Sequence, residues 1–147
     1  MKRKTILVVV LATILAGMFA GGTALALTTI TGTPGDDTLR GTNSADWILA
    51  RAGDDTVRGL GGRDDLDGGS GDDVLYGGAG NDDGNGLWGG RGKDVIYGGK
   101  GDDLLVGSFD RRQKDKLYCG KGFDRYAADK TDYVSPSCEE KTLMPPA

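Results

Sequence analysis

Residues 68–106 read GGSGDDVLY, GGAGNDDGNGLW, GGRGKDVIY and GGKGDDLLV, four blocks in succession. Each block opens on two glycines, sets a third at the fourth position and an aspartate at the sixth, and closes on a short apolar run. Glycine reaches positive φ where other residues resist, so the opening half of a block is a turn. The apolar half favours a short strand. One unit is a turn plus a strand, and its aspartate sits on the turn.

The same register extends both ways. Upstream lie GTPGDDTLR from Gly32, GTNSADWIL from Gly41, ARAGDDTVR from Ala50 and GLGGRDDLD from Gly59. Downstream come a degenerate unit over residues 107–118 and CGKGFDRYA from Cys119. Ten units of nine residues, two of them lengthened by three, cover residues 32–127. Their sixth-position aspartates are Asp37, Asp46, Asp55, Asp64, Asp73, Asp82, Asp94, Asp103, Asp115 and Asp124, with Asp115 in a unit too irregular to be assigned a site.

The pattern GGxGxDxUx, U being a large aliphatic residue, resembles the nonapeptide of RTX, or haemolysin-type, calcium-binding repeats, with 68–76 and 98–106 its best matches. The resemblance implies an all-β fold, a right-handed parallel β-roll in which two nonapeptides make one coil. It also implies several Ca²⁺ ions between stacked turns, held by the aspartates other than Asp115 together with the turn glycines. In the regular segment those glycines are Gly68, Gly69, Gly71, Gly77, Gly78, Gly80, Gly89, Gly90, Gly92, Gly98, Gly99 and Gly101.

Lys2, Arg3 and Lys4 precede an apolar run, and Ala24-Leu25-Ala26 supplies the small residues of a cleavage site. Residues 1–26 read as a secretory signal peptide rather than a membrane anchor, because the apolar core is short for a span. Residues 27–31 form a short lead-in and residues 128–147 a cap strand and tail. Cleavage leaves 15 basic against 22 acidic residues, and Glu139 and Glu140 are the only glutamates. An acidic balance argues against nucleic acid, and no basic amphipathic stretch suggests a membrane surface. The expected location is extracellular, in a bacterial setting.

Without metal, disorder is the expectation. Like aspartates in stacked coils lie about 4.8 Å apart, where two bare charges repel by roughly 3.5 kcal/mol at an effective dielectric of 20. Calcium takes six to eight oxygens, and a glycine turn with an aspartate offers carbonyls and a carboxylate together; magnesium demands tighter geometry. The chain has no His and two Cys, so the usual zinc and copper sites are not expected. An EF-hand is disfavoured, since the stretch from Asn81 lacks a closing glutamate. The alternative for the aspartates is a set of Asx turns that cap loops.

Two units per coil place Asp37, Asp55, Asp73, Asp94 and Asp115 in one column and Asp46, Asp64, Asp82, Asp103 and Asp124 in another. The eighth positions, Leu39, Ile48, Val57, Leu66, Leu75, Leu87, Ile96, Leu105, Leu117 and Tyr126, are the predicted core. Irregular turns in the units from Gly41 and Ala50 predict weaker sites at the N-terminal end. Outward-facing Tyr76, Tyr97 and Tyr118 form a ladder, either cross-strand packing or a partner surface; the opposite face offers Leu49, Trp88, Leu104 and Val106. In a secreted chain Cys119 and Cys138 read as one disulfide that ties the last repeat to the tail, the alternative being a free pair.

Two functions fit. One is a secreted calcium-binding protein whose roll folds on binding Ca²⁺. The other is an extracellular adhesion or matrix scaffold that presents the tyrosine face to an unidentified protein or glycan. An enzyme is not expected: no histidine exists to act as a base, and no triad accompanies the few serines.

Overall fold

The computed structural model describes residues 27–108 and 113–142; the signal-peptide reading of residues 1–26 lies outside them. Thirteen short strands follow in chain order: β1 (Thr28–Thr31), β2 (Thr38–Arg40), β3 (Asp46–Leu49), β4 (Thr56–Gly61), β5 (Asp65–Ser70), β6 (Val74–Ala79), β7 (Leu87–Arg91), β8 (Val95–Lys100), β9 (Leu104–Val106), β10 (Lys116–Lys121), β11 (Arg125–Ala127), β12 (Tyr133–Val134) and β13 (Glu140–Lys141). Odd-numbered strands make a seven-stranded sheet and even-numbered strands a six-stranded one. All pairings are parallel. The chain therefore alternates between two facing sheets, one nonapeptide per strand, and winds through about six turns of a parallel β-roll.

The register follows the apolar eighth positions. Val57, Leu75, Ile96 and Leu117 lie opposite one another in one sheet, and Ile48, Leu66, Leu87 and Leu105 in the other. These eight side chains are at most 1% exposed, and one aliphatic per strand fills the narrow space between the sheets. Tyr126 departs from the predicted core: it is only partly buried and packs against the C-terminal end of that layer.

Both ends contain more structure than their sequences suggest. The lead-in is a strand, with Ile30 opposite Ile48 and 6% exposed, so the core begins half a coil before the first complete repeat. At the other end the tail contains a further strand, β13, beside β11. Both residues of β13 are exposed, so no apolar signal marks it; backbone pairing holds it, including Thr142 N–H to the Tyr126 carbonyl at 2.8 Å. The disulfide forms as read, Cys119 to Cys138, with Cα atoms 5.2 Å apart and a sequence separation of 19. Cys119 is fully buried and closes the core at this end.

The glycines divide by purpose. In the units over residues 68–106, second- and fourth-position glycines have positive φ, as at Gly69 (96°) and Gly71 (133°). First positions such as Gly68 are needed for space, as described below. Arg51 and Leu60 hold second positions at φ 84° and 88°, so the coil imposes this conformation even where the residue resists it.

Three outcomes follow for the folded protein in urea or thermal unfolding. Gly71→Ala, whose added methyl would meet the Gly53 carbonyl, is expected to lose about 3 kcal/mol. Leu60→Gly should gain about 1 kcal/mol by removing strain. Reducing the disulfide should cost about 3 kcal/mol by freeing its loop in the unfolded chain.

Candidate metal centres

Side chains along a strand alternate faces, so the residue two before a buried aliphatic also points inward. That residue is the sixth-position aspartate in every unit but the one from Gly77, where the inserted residues put Leu87 five places after Asp82. Asp37, Asp46, Asp55, Asp64, Asp73, Asp82, Asp94, Asp103, Asp115 and Asp124 are each at most 4% exposed. They start on the turns, as the sequence indicates, but their carboxylates face into the roll rather than out along its edges. The neighbouring fifth position faces outward, which separates pairs such as Asp54 and Asp55: the Asp54 carboxylate accepts the Asp72 amide at 2.9 Å in an exposed ladder, while Asp55 is buried.

The two columns are joined by hydrogen bonds. Each aspartate amide donates to Oδ1 of the aspartate one coil further on. In the first column Asp37 N–H reaches Asp55 at 2.7 Å, Asp55 reaches Asp73 at 2.8 Å, Asp73 reaches Asp94 at 3.0 Å and Asp94 reaches Asp115 at 3.0 Å. In the second, Asp46 reaches Asp64 at 2.9 Å, Asp64 reaches Asp82 at 2.8 Å, Asp82 reaches Asp103 at 3.0 Å and Asp103 reaches Asp124 at 2.9 Å. Asp132 ends the first column by accepting from Asp115 at 3.1 Å, and Glu139 ends the second by accepting from Asp124 at 2.8 Å. The sequence reading missed these last two, because they fall 17 and 15 residues after their partners, off the nonapeptide spacing. It also assigned no site to Asp115, which occupies its column in full.

The second carboxylate oxygen sorts the sites. In Asp37 and Asp46 it accepts the amide (2.5 Å) and hydroxyl (3.0 Å) of Thr33 and Thr42, respectively. Asp115 receives the Ser108 amide at 2.6 Å, and Asp132 the Asp129 amide at 2.8 Å. In Asp55, Asp64, Asp73, Asp82, Asp103 and Asp124 the corresponding oxygen is buried and receives no hydrogen bond.

The division begins at the second residue of the unit. Leu60, Gly78, Gly99 and Gly120 belong to one parallel ladder and Gly69 pairs with Gly90, all at positive φ. Thr33, Thr42 and Ser108 lie outside the strands, and their amides turn onto the carboxylate instead.

Burial raises the pKa of the open aspartates, and repulsion from column neighbours adds to it, against a partial offset from the incoming amide. Asp73 and Asp82 are pushed up to about 7, and Asp55, Asp64 and Asp103 to about 6. A buried carboxylate oxygen without a donor calls for a cation or a proton.

The surroundings suit a cation that accepts backbone oxygen. A methyl placed on Gly68 would lie 2.5 Å from the Gly89 carbonyl oxygen and 2.6 Å from Asp73 Oδ2. On Gly98 it would meet the Cys119 carbonyl at 2.5 Å and Asp103 Oδ2 at 2.6 Å. The first-position glycine thus leaves a cradle where a carboxylate and a carbonyl of the next coil converge. Among the described residues no three acidic, thiol or imidazole side chains cluster. An ion held here takes carboxylate plus carbonyl oxygen, the donor set of a hard cation such as Ca²⁺.

A family model for the RTX calcium-binding nonapeptide repeat matches residues 31–66, 58–87 and 84–111. No curated protein and no solved structure matches the chain significantly. The aspartate columns continue beyond the matched residues to Asp132 and Glu139.

The raised pKa values fix the sign of a pH effect. Between the ordinary 3.8 and the folded values of about 6 to 7, the metal-free roll binds more protons than the unfolded chain. Its stability is then greatest below pH 3.8 and falls as pH rises through 6 to 7. In chelator, the β signal in circular dichroism should be larger at about pH 5 than at about pH 8; equal signals would contradict the charge argument.

Proposed function

Because the chain belongs to the RTX calcium-binding nonapeptide repeat family, we propose that it is an exported protein whose β-roll becomes ordered on binding Ca²⁺. The observation that carries this reading is the run of buried carboxylate oxygens without donors in both columns. Asp55, Asp64, Asp73, Asp82, Asp94, Asp103 and Asp124 would hold the ions, with carbonyls of the glycine turns at 68–71, 77–80, 89–92 and 98–101. Calcium supplies positive charge that turns repulsion between stacked coils into attraction. The protein's own part is positional: the ladder orients one carboxylate oxygen and leaves the other facing its cradle. Asp37 is served by Thr33 and depends little on metal, whereas Thr42 serves only Oδ2 of Asp46 and leaves its buried Oδ1 without a donor.

The leader at 1–26 and the disulfide favour an oxidising extracellular setting. There Ca²⁺ is abundant, and the chain would order only after export. The role is structural and not catalytic: the chain has no histidine, and the acidic residues repeat along columns rather than gathering at one site.

A second reading, an adhesion or matrix scaffold, is favoured by the aromatic ladder. Tyr76, Tyr97 and Tyr118 stack with centroids 4.9 and 5.0 Å apart, and Tyr133, 49% exposed, continues the row at 5.6 Å. Arg58 caps it at 4.8 Å from the Tyr76 ring. Tyr133→Ala should then abolish binding to an extracellular surface without altering the calcium titration.

Calcium titration of residues 27–147, followed by far-ultraviolet circular dichroism with magnesium as control, tests the main reading. A cooperative gain of β signal with calcium alone is expected. Asp82→Asn should raise the calcium midpoint about tenfold, the effect of losing one charged contact, whereas Asp37→Asn should leave it nearly unchanged. A chain fully folded in chelator at neutral pH would overturn the folding-on-binding claim.

A further inference from the structure

The outer face of the seven-stranded sheet bears a cleft unrelated to the aspartate columns. Trp47 on β3 lies opposite Asp65 on β5, and Trp88 on β7 lies opposite Asp67 on β5. The two indoles therefore flank one strand whose outward side chains are both carboxylates. The cleft measures about 280 Å³. Its flanking strands are two sheet spacings apart, roughly 9.6 Å, and the two indoles are offset by two residues along β5, so a group seated between them lies diagonally across the carboxylates.

One wall comes from the extra residues that break the nonapeptide period after Asp82. Asp65 accepts the Asn85 amide at 2.7 Å, the Asn85 side-chain amide at 3.0 Å and the Gly86 amide at 3.3 Å. Trp88 Nε1–H donates to the Asn85 carbonyl at 2.5 Å. The insertion thus pins both Asp65 and the Trp88 ring. Its outer end is held by Arg63 and Asp83, paired at 3.0 Å. Trp47 is 43% exposed, and Asp67 is exposed as well.

The chemistry of the lining selects the ligand. None of the lining residues is basic, and the one indole N–H on the insertion side is already given to Asn85. Apart from the Trp47 indole N–H, what remains is mainly acceptor oxygen and aromatic face. A neutral sugar brings hydroxyl and ring oxygens that need donors as well as acceptors, and the cleft is poor in donors. A group that only donates and carries positive charge meets both features, with carboxylates for its charge and indole faces for cation–π contact.

We propose that the cleft formed by Trp47, Asp65, Asp67 and Trp88 binds an organic cation, a guanidinium or alkylammonium group carried by a basic peptide side chain or by a small amine. Trp47 and Trp88 flank the group diagonally, Asp67 meets its charge, and Asp65 positions the wall. The site lies apart from the aspartate columns and needs only the folded roll.

The chain has two tryptophans, both in this cleft, so intrinsic tryptophan emission reads it directly. The full chain in excess calcium is titrated with N-acetyl-arginine amide, N-acetyl-lysine amide and choline. Sodium chloride at equal ionic strength and a neutral disaccharide serve as controls, and circular dichroism verifies the fold. A saturable change in emission with at least one cation is expected. Which of the three responds distinguishes a peptide side chain from a quaternary amine. Asp67→Asn should weaken that binding about tenfold or more, as loss of a charge-assisted contact does, and Trp47→Ala should do likewise. The proposal is overturned if no cation saturates, if the salt control reproduces the change, if folded Asp67→Asn binds as wild type, or if the disaccharide alone responds.

Discussion

An aspartate that faces into the roll supplies the contact joining one coil to the next and, in the same side chain, a charge the interior leaves uncompensated. One oxygen takes the amide of the preceding coil, repeatedly at 2.7 to 3.1 Å along both columns. The other oxygen is sealed from water, and burial, with repulsion from neighbouring aspartates added, pushes the pKa up to about 6 in Asp55 and about 7 in Asp73. Stacking brings the charges together, and stacking is also what buries the aliphatic layer. Coil formation and charge neutralisation are therefore one problem, and a cation shared between coils addresses both.

The ends handle the same carboxylates by other means. At the N-terminal coil, threonines at the second position donate amide and hydroxyl to Asp37 and Asp46. Near the C-terminus Ser108 and Asp129 donate amides to Asp115 and Asp132. A disulfide from buried Cys119 to half-buried Cys138 and a two-strand coil then cover the last hydrophobic side chains. A solenoid must end in units unlike its interior ones, since the last coil has no neighbour to satisfy it. Here the unlike units give Asp37, Asp115 and Asp132 hydrogen bonds to the second oxygen, while Asp46 and Asp124 each keep one buried oxygen without a donor.

The two outer faces use aromatic residues in contrasting ways. On the six-stranded sheet the tyrosines stack nearly parallel, at 5° and 11°, and cover one another's faces, so the ladder stiffens the sheet. On the other sheet the tryptophans are separated by a strand bearing acidic residues, and an inserted loop keeps the gap open. Packing uses up ring faces in the first case and preserves them in the second.

Much of the architecture was legible in the chain itself. A nine-residue period of turn and strand, with one aliphatic at the eighth position, determines the alternation between sheets, the register, the core and the two columns of aspartates, because parallel stacking allows one repeat to lie only on its counterpart. The strands at 28–31 and 140–141 were not legible: one is too short to show a period, and the other buries no side chain. Nor could the sequence separate Asp37 from Asp73, which share a motif position. That distinction rests on whether the second residue of the unit enters the ladder or turns its amide onto the carboxylate, a matter of backbone path. The tryptophan cleft likewise belongs to the tertiary structure alone. Trp47 and Trp88 are remote in sequence, and the roll brings them to either side of one strand.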